Sequence, residues 1–230
     1  MPIGYLAISI LFMVVGMIVQ FRLKSKFKRY SEVPTSSGLT GAQVATKMLR
    51  DNGIYDVDVI STPGFLSDHY DPTKKTVNLS QDVYSSATVA AAAVAAHECG
   101  HAVQHATAYS MLMLRSKLVP VTQLSTTLSQ WVLLAGLGVF FGRGNQTILL
   151  IGILLFAVST LFSIITLPVE LDASNRALKW LDTANITRPD EHEKAKDALK
   201  WAALTYIVAA LSSIAMLLYY IMIYNSRSRD

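Results

Sequence analysis

This sequence has little charge and almost no cysteine. Only 16% of its 230 residues are Asp, Glu, Lys or Arg, where an ordinary soluble domain carries about 25%. Its single cysteine, Cys99, excludes an internal disulfide. The charge deficit is concentrated. Residues 3–21 carry no charge over 19 positions, residues 145–167 none over 23, and residues 201–226 none over 26. Each reaches the roughly 20 residues that a helix needs to cross a bilayer core, so all three read as membrane spans. The first lacks both the basic n-region and the small-x-small cleavage site of a signal peptide, and reads as a retained anchor. The spans also lack ionisable residues, which argues against a transporter or channel, whose substrate and proton sites require them.

A fourth span is less plain. WVLLAGLGVFF (131–141) is apolar but too short alone, and reaches span length only with TQLSTTLSQ (122–130). The Thr, Ser and Gln of that extension leave a re-entrant segment as the alternative. With four spans, 11 Lys and Arg fall in residues 22–127 and 6 in residues 168–200, leaving only Arg143, Arg227 and Arg229 on the other side. The positive-inside bias then puts both connecting regions in the cytoplasm and both termini outside. The cluster RLKSKFKR (22–29) follows the first span directly, where it would meet anionic lipid headgroups rather than nucleic acid.

Along the first connecting region, YSEVPTSSGL (30–39) is a linker, and Thr40 caps a short helix that ends at Asn52-Gly53. DVDVIST (56–62) alternates as a strand, and DHYDPTKKTVNLS (68–80) holds an Asp-Pro turn and a polar strand that an extended substrate could join. Residues 109–121 are amphipathic. Downstream, a helix from Thr187 runs to about Asn225, with Thr187 as its cap and Pro189 in its first turn.

The stretch AAAAVAAHECGHAVQHATAY (90–109) carries the chemistry. Its residues favour a helix, from about Ser85 to His105. On it His97 and His101 lie four apart on one face, where two imidazoles can share a tetrahedral ion. H-E-x-x-H makes the intervening Glu98 a general base for hydrolysis. With five His and five Glu in the chain, shuffling yields this motif in only about 0.2% of cases, so chance is a poor explanation. The helix is not itself a span, because His97 and Glu98 would be stranded in lipid. Cys99, turned about 200° from His97, reads as a buried small hydrophobe.

A catalytic zinc site needs a third protein ligand. His105, Asp172 and Glu170 are the candidates. His105 sits about 6 Å beyond His101 along the helix axis and about 12 Å beyond His97, too far to converge on the same ion. LPVELDASNRALKWL (167–181) is the better source. There Pro168 marks the end of the third span and places Glu170 in the first turn of a following helix. A helix start would also explain Glu170 and Asp172 without any metal, by complementing the helix dipole at about 0.3–1 kcal/mol.

HECGHAVQH (97–105) with PVELDAS (168–174), between flanking spans, resembles the YugP-like bacterial membrane zinc metallopeptidases, and the NLSQDVY…AAHECGHA run extends the likeness over nearly the whole chain. More distantly it resembles the HtpX and CAAX prenyl protease group, in which H-E-x-x-H is completed by the first glutamate of E-x-x-x-D. The resemblance implies His97, His101 and Glu170 as ligands of one Zn2+ per chain, with Glu98 as the base. Position 174 is Ser where the distant group has Asp, so the contact made by that Asp falls to Ser174 or Asp172.

The expected architecture is a mainly α-helical integral membrane protein with four transmembrane helices and a small cytoplasmic α+β zincin-like catalytic unit. Residues 1–21 form the first helix, 22–121 the catalytic region, 122–167 a hairpin of two helices, 168–203 the segment with the third ligand, and 204–225 the last helix. The expected function is that of a zinc endopeptidase of the cell membrane whose active site faces the cytoplasm. Its partners are a polypeptide substrate, membrane proteins included, and the lipid bilayer, but not nucleic acid. The other reading is a non-catalytic metal-binding membrane scaffold or sensor, which keeps the ligands but has no use for Glu98.

Overall fold

The computed structural model describes residues 3–139 and 144–227. Phe140 and Phe141, the end of the expected second span, lie outside the described residues, as do Arg143 and Arg229. Helices dominate: α1 (Ile3–Tyr30), α2 (Gly41–Asp51), α3 (Gln81–Ser85), α4 (Val89–Ala106), α5 (Ser110–Leu137), α6 (Gln146–Thr183) and α7 (Pro189–Arg227). One small sheet holds β1 (Asp58–Thr62), β2 (His69–Asp71) and β3 (Thr76–Ser80). Among the described residues, α1, α6 and α7 are long and apolar enough to cross a membrane. Along α1, Leu6, Ile10, Leu11, Met13, Met17 and Ile18 are all exposed, a larger apolar surface than a soluble monomer leaves to water.

The chain divides into two compact units: Met1–Ile18, Met113–Leu167 and Tyr206–Asp230 form one, and Val19–Leu112 with Pro168–Thr205 the other. In the first, α5 lies against α6 through small residues. A Cβ on Gly136 would sit 2.5 Å from the Leu149 Cα, and one on Gly152 2.9 Å from the Leu133 side chain. Tyr219 and Tyr220 are buried and gather with Tyr5, each ring centroid 6.5 Å from that of Tyr5.

The second unit is built around α4. Thr88 caps it, its side chain accepting from the Ala91 N–H at 3.3 Å, so the helix begins at Val89 and not near Ser85. Residues 81–85 form the separate α3. The alanines at 90–93, 95 and 96 are all buried, because a side chain of one methyl lets α2 and the sheet close on the helix from several sides. The expected cap of α2 is present as a capping box, with Thr40 accepting from the Gln43 N–H and Gln43 accepting from the Thr40 N–H.

Three details depart from the sequence reading. The strand β3 is central, parallel to β1 and antiparallel to β2. Both of its edges are therefore paired, and Lys74–Ser80 offers no place for a substrate strand. Among the described residues, β1 and β2 are the outer strands of this sheet. The Asp-Pro turn does form, with the Asp71 carboxylate accepting from the N–H groups of Thr73 and Lys74. At α7, the Thr187 hydroxyl has no hydrogen-bond partner among the described residues. The Glu191 carboxylate accepts from the Arg188 N–H instead, and holds Ser36 through its N–H and hydroxyl. Finally, α6 runs unbroken through Pro168. The missing proline N–H removes one helical bond, a loss that helices of membrane proteins absorb by local adjustment.

Candidate metal centre

His97 and His101 project from one face of α4, their ring centroids 4.9 Å apart. Opposite them stands Glu170 of α6, whose Oε2 lies 3.3 Å from His97 Nε2 and 3.5 Å from His101 Nε2. Ligand atoms of all three residues fall within 4.8 Å of one another. Atoms bound at 2.0–2.1 Å to one tetrahedral ion are separated by about 3.3–3.4 Å, so the two edges at Glu170 match a zinc coordination triangle. The donor set also fits: two imidazoles and one carboxylate, which leaves a fourth position for water.

The surroundings turn the ligand nitrogens toward that point. His97 Nδ1 is 3.1 Å from the Ser174 hydroxyl, and His101 Nδ1 is 3.0 Å from Gln104 Oε1. With both Nδ1 atoms occupied, the Nε2 atoms face Glu170. Burial opposes charge on Glu170, but the hydrogen bonds and charges of His101 and His97 hold its carboxyl well below the usual range. Burial would lower the pKa of His101, yet the carboxylates of Glu170 and Glu98 raise it overall. A buried anion set against two imidazoles is an environment that a cation completes.

No solved structure matches this chain. It is 42% identical over 212 residues to the "Putative membrane protease YugP" of Bacillus subtilis (strain 168), covering 92% of each chain. A family model described as "Putative neutral zinc metallopeptidase" matches residues 5–225. The chain belongs to that family.

Around this cluster, the other sequence candidates take distinct places. His105 is not in the cluster: its Nδ1 meets the Tyr70 hydroxyl at 2.8 Å. Asp172 is not in it either. Its Oδ2 accepts from Arg176 Nε at 2.6 Å and from Gln104 Nε2 at 2.8 Å. Glu98 is buried on α4, and its charge acts on the neighbouring His101. Cys99 is fully buried with its thiol pKa pushed well up by burial, and its Sγ lies 3.5 Å from the Ala45 carbonyl.

The continuity of α6 removes the metal-free explanation of Glu170. A helix dipole acts within the first turn, whereas Glu170 stands 24 residues into α6. Two residues escaped the sequence reading. Gln104 lies three positions after His101, on the same face and as buried as any residue in the chain. Gly100 sits between the histidines, where a Cβ would come 2.6 Å from the Ala173 carbonyl oxygen. Their positions in the H-E-x-x-H helix were the available signals.

Proposed function

We propose that this chain is a membrane-embedded zinc endopeptidase working on the cytoplasmic side, with His97, His101 and Glu170 as zinc ligands and Glu98 as general base. The observation that carries this reading is the triangle of His97 Nε2, His101 Nε2 and Glu170 Oε2, with edges of 3.3 and 3.5 Å at Glu170. A bound zinc ion supplies Lewis acidity and lowers the pKa of a coordinated water toward about 7. The chain's own groups do the rest. Glu98 accepts the proton of the attacking water and returns it to the leaving amine, work worth about 10²–10⁴-fold in rate. Gln104 and Ser174 hold the imidazoles in place, and the surrounding alanines keep competing water from the buried side of α4.

Topology supports four spans. His101 and Glu170 belong to one unit, while residues 113–167 between them belong to the other. If the apolar part of α6 crosses the bilayer, α5 must cross it as well for the chain to return. Three pairings favour this: Gly136 with Leu149, Leu133 with Gly152, and Thr126 with Ser159 at 2.8 Å. All three keep one antiparallel register, which sets residues 118–139 beside residues 146–167. Small residues at the contact are what close helix packing in lipid uses. The cytoplasmic orientation rests on the distribution of Lys and Arg. Substrates are polypeptides, and the place of Glu170 on a helix continuous with an apolar span favours membrane proteins among them.

The test is metal analysis of purified protein together with cleavage of a casein-like substrate, for the native chain and Glu98→Gln. Both should hold about one zinc per chain, and the variant should lose about 10²–10⁴-fold in turnover. Undiminished turnover by Glu98→Gln would refute the mechanism. Zinc in both proteins with cleavage by neither would leave the scaffold or sensor reading in its place.

A further inference from the structure

The two histidines of the triangle are held differently, and the difference carries information. Ser174 can donate or accept, so its bond with His97 Nδ1 fixes the position of the ring without fixing its protonation. Gln104 has no such freedom. Its Nε2 amide group lies 2.8 Å from the Val169 carbonyl and 2.8 Å from Asp172 Oδ2, and both of those atoms can only accept. The amide is thereby oriented, and Oε1 is left as the atom facing His101 Nδ1 at 3.0 Å. An acceptor there requires a proton on Nδ1. In the neutral ring Nε2 then carries the lone pair, and that is the atom a metal needs.

We propose that Gln104 is the positioning residue of the metal site: it sets the tautomer of His101 and couples that histidine, through Asp172 and Val169, to the turn of α6 that carries Glu170. This rests on the zinc reading above and extends it to how the site is preorganised. Two facts give the coupling its strength. Gln104 is fully buried, so no water competes for its three bonds, and such networks are strong when every member is satisfied. Asp172 is itself fixed by Arg176 Nε at 2.6 Å, and the Arg176 guanidinium lies 5.8 Å from the ring centre of Tyr109. The negative charge of Asp172 polarises the amide, and the amide in turn strengthens the pull on the Nδ1 proton. The His101 nitrogen becomes a better donor to a metal. One amide thus does for His101 what a carboxylate in direct contact does elsewhere, and it also spans the gap between α4 and α6.

The inference is tested on the full chain in detergent micelles, by zinc competition against a chromophoric chelator and by thermal unfolding of metal-free protein. Gln104→Met keeps the length of the side chain and removes every hydrogen bond. It should weaken zinc binding by about 10–100-fold. Gln104→Glu alone sets two carboxylates face to face and should be weak as well. Asp172→Asn keeps an acceptor oxygen for the Gln104 amide and removes only the charge behind it. It should hold zinc to within about tenfold of native. Affinity should follow this hydrogen-bond pattern and not the melting temperature of the metal-free variants. Native zinc affinity in Gln104→Met, or Asp172→Asn as weak as Gln104→Met, would overturn the proposal. His97→Ala and Glu170→Ala run alongside. If they lose zinc while Gln104→Met keeps it, this inference alone fails, and if they keep zinc the ligand assignment fails with it.

Discussion

The backbones of Gly100 and Ala173 touch, so closely that a Cβ on Gly100 would lie 2.6 Å from the Ala173 carbonyl oxygen and 3.1 Å from its Cα. The obstacle is backbone, not the end of a flexible side chain, so a methyl group there must move α4 or α6. Two effects then compete in Gly100→Ala. Alanine favours the helix by about 1 kcal/mol over glycine, while overpacking costs about 1–3 kcal/mol. Because Glu170 lies one turn before Ala173, the displacement also draws a carboxylate from the two imidazoles. Gly100→Ala should bind zinc more weakly than native and melt no higher in its metal-free form. A variant that melts higher and holds zinc as tightly would show that this contact does not set the spacing of the site.

Glu170 and His105 should separate cleanly in a zinc titration. The carboxylate is in the triangle, and the His105 ring is engaged with Tyr70. Glu170→Ala should empty the site at zinc concentrations that saturate the native chain. His105→Ala should retain zinc to within about tenfold, since the residue lies outside the ligand cluster. Glu170→Asp should fall between them, its shorter side chain stopping short of nitrogens now 3.3 and 3.5 Å from Oε2. Zinc lost in His105→Ala and kept in Glu170→Ala would reverse the assignment.

How much of this arrangement is legible in the sequence depends on how far each feature reaches along the chain. His97, Glu98 and His101 are a local pattern on one helix, and helical geometry alone places them. That same geometry excludes His105 by its distance along the axis. Glu170 comes from α6, and only the family resemblance singles it out; the setting inferred for it, a helix start after Pro168, is not the setting found. Proline ends helices where water takes up the freed carbonyl, but α6 is apolar and packed through this stretch. The strand at Thr76–Ser80 is legible as a strand and not as a central one, because pairing with both β1 and β2 leaves no mark in its own five residues. For Gln104 the sequence shows only its place three positions after His101 on the motif helix. Its partners Val169 and Asp172 lie 65 and 68 positions away.

Zinc should also act as a clamp, since its proposed ligands come from two helices. A ligand that binds only the folded state stabilises it by about 2.7 kcal/mol when present at 100 times its dissociation constant. The native chain in micelles should therefore melt lower after chelation and recover when zinc is restored. Glu170→Ala, lacking the ligand from α6, should show almost no difference between the two conditions. An equal response to zinc in Glu170→Ala would place the stabilising ion elsewhere.

The proposed sidedness rests on the basic residues. Seventeen of the 20 Lys and Arg fall in residues 22–127 and 168–200, and the segments on the other side hold three, an asymmetry that orients membrane proteins during insertion. Single cysteines provide the measurement, because the one native thiol, Cys99, is buried and is removed as Cys99→Ala. Lys74 lies in the turn between β2 and β3, and Lys194 in the polar first part of α7, both in the unit that holds the metal centre. Cysteines at these positions should resist an impermeant thiol reagent in intact cells and react once the cells are opened. A cysteine replacing Asn145, exposed just before α6, should react in intact cells. Labelling at Lys74 and Lys194 with protection at Asn145 would invert the orientation and put the metal centre outside. Labelling at Asn145, Lys74 and Lys194 alike in intact cells would contradict an odd number of crossings between them. Since α6 alone separates Asn145 from the Glu170 turn, that result would remove α6 from the membrane and with it the argument that α5 must cross.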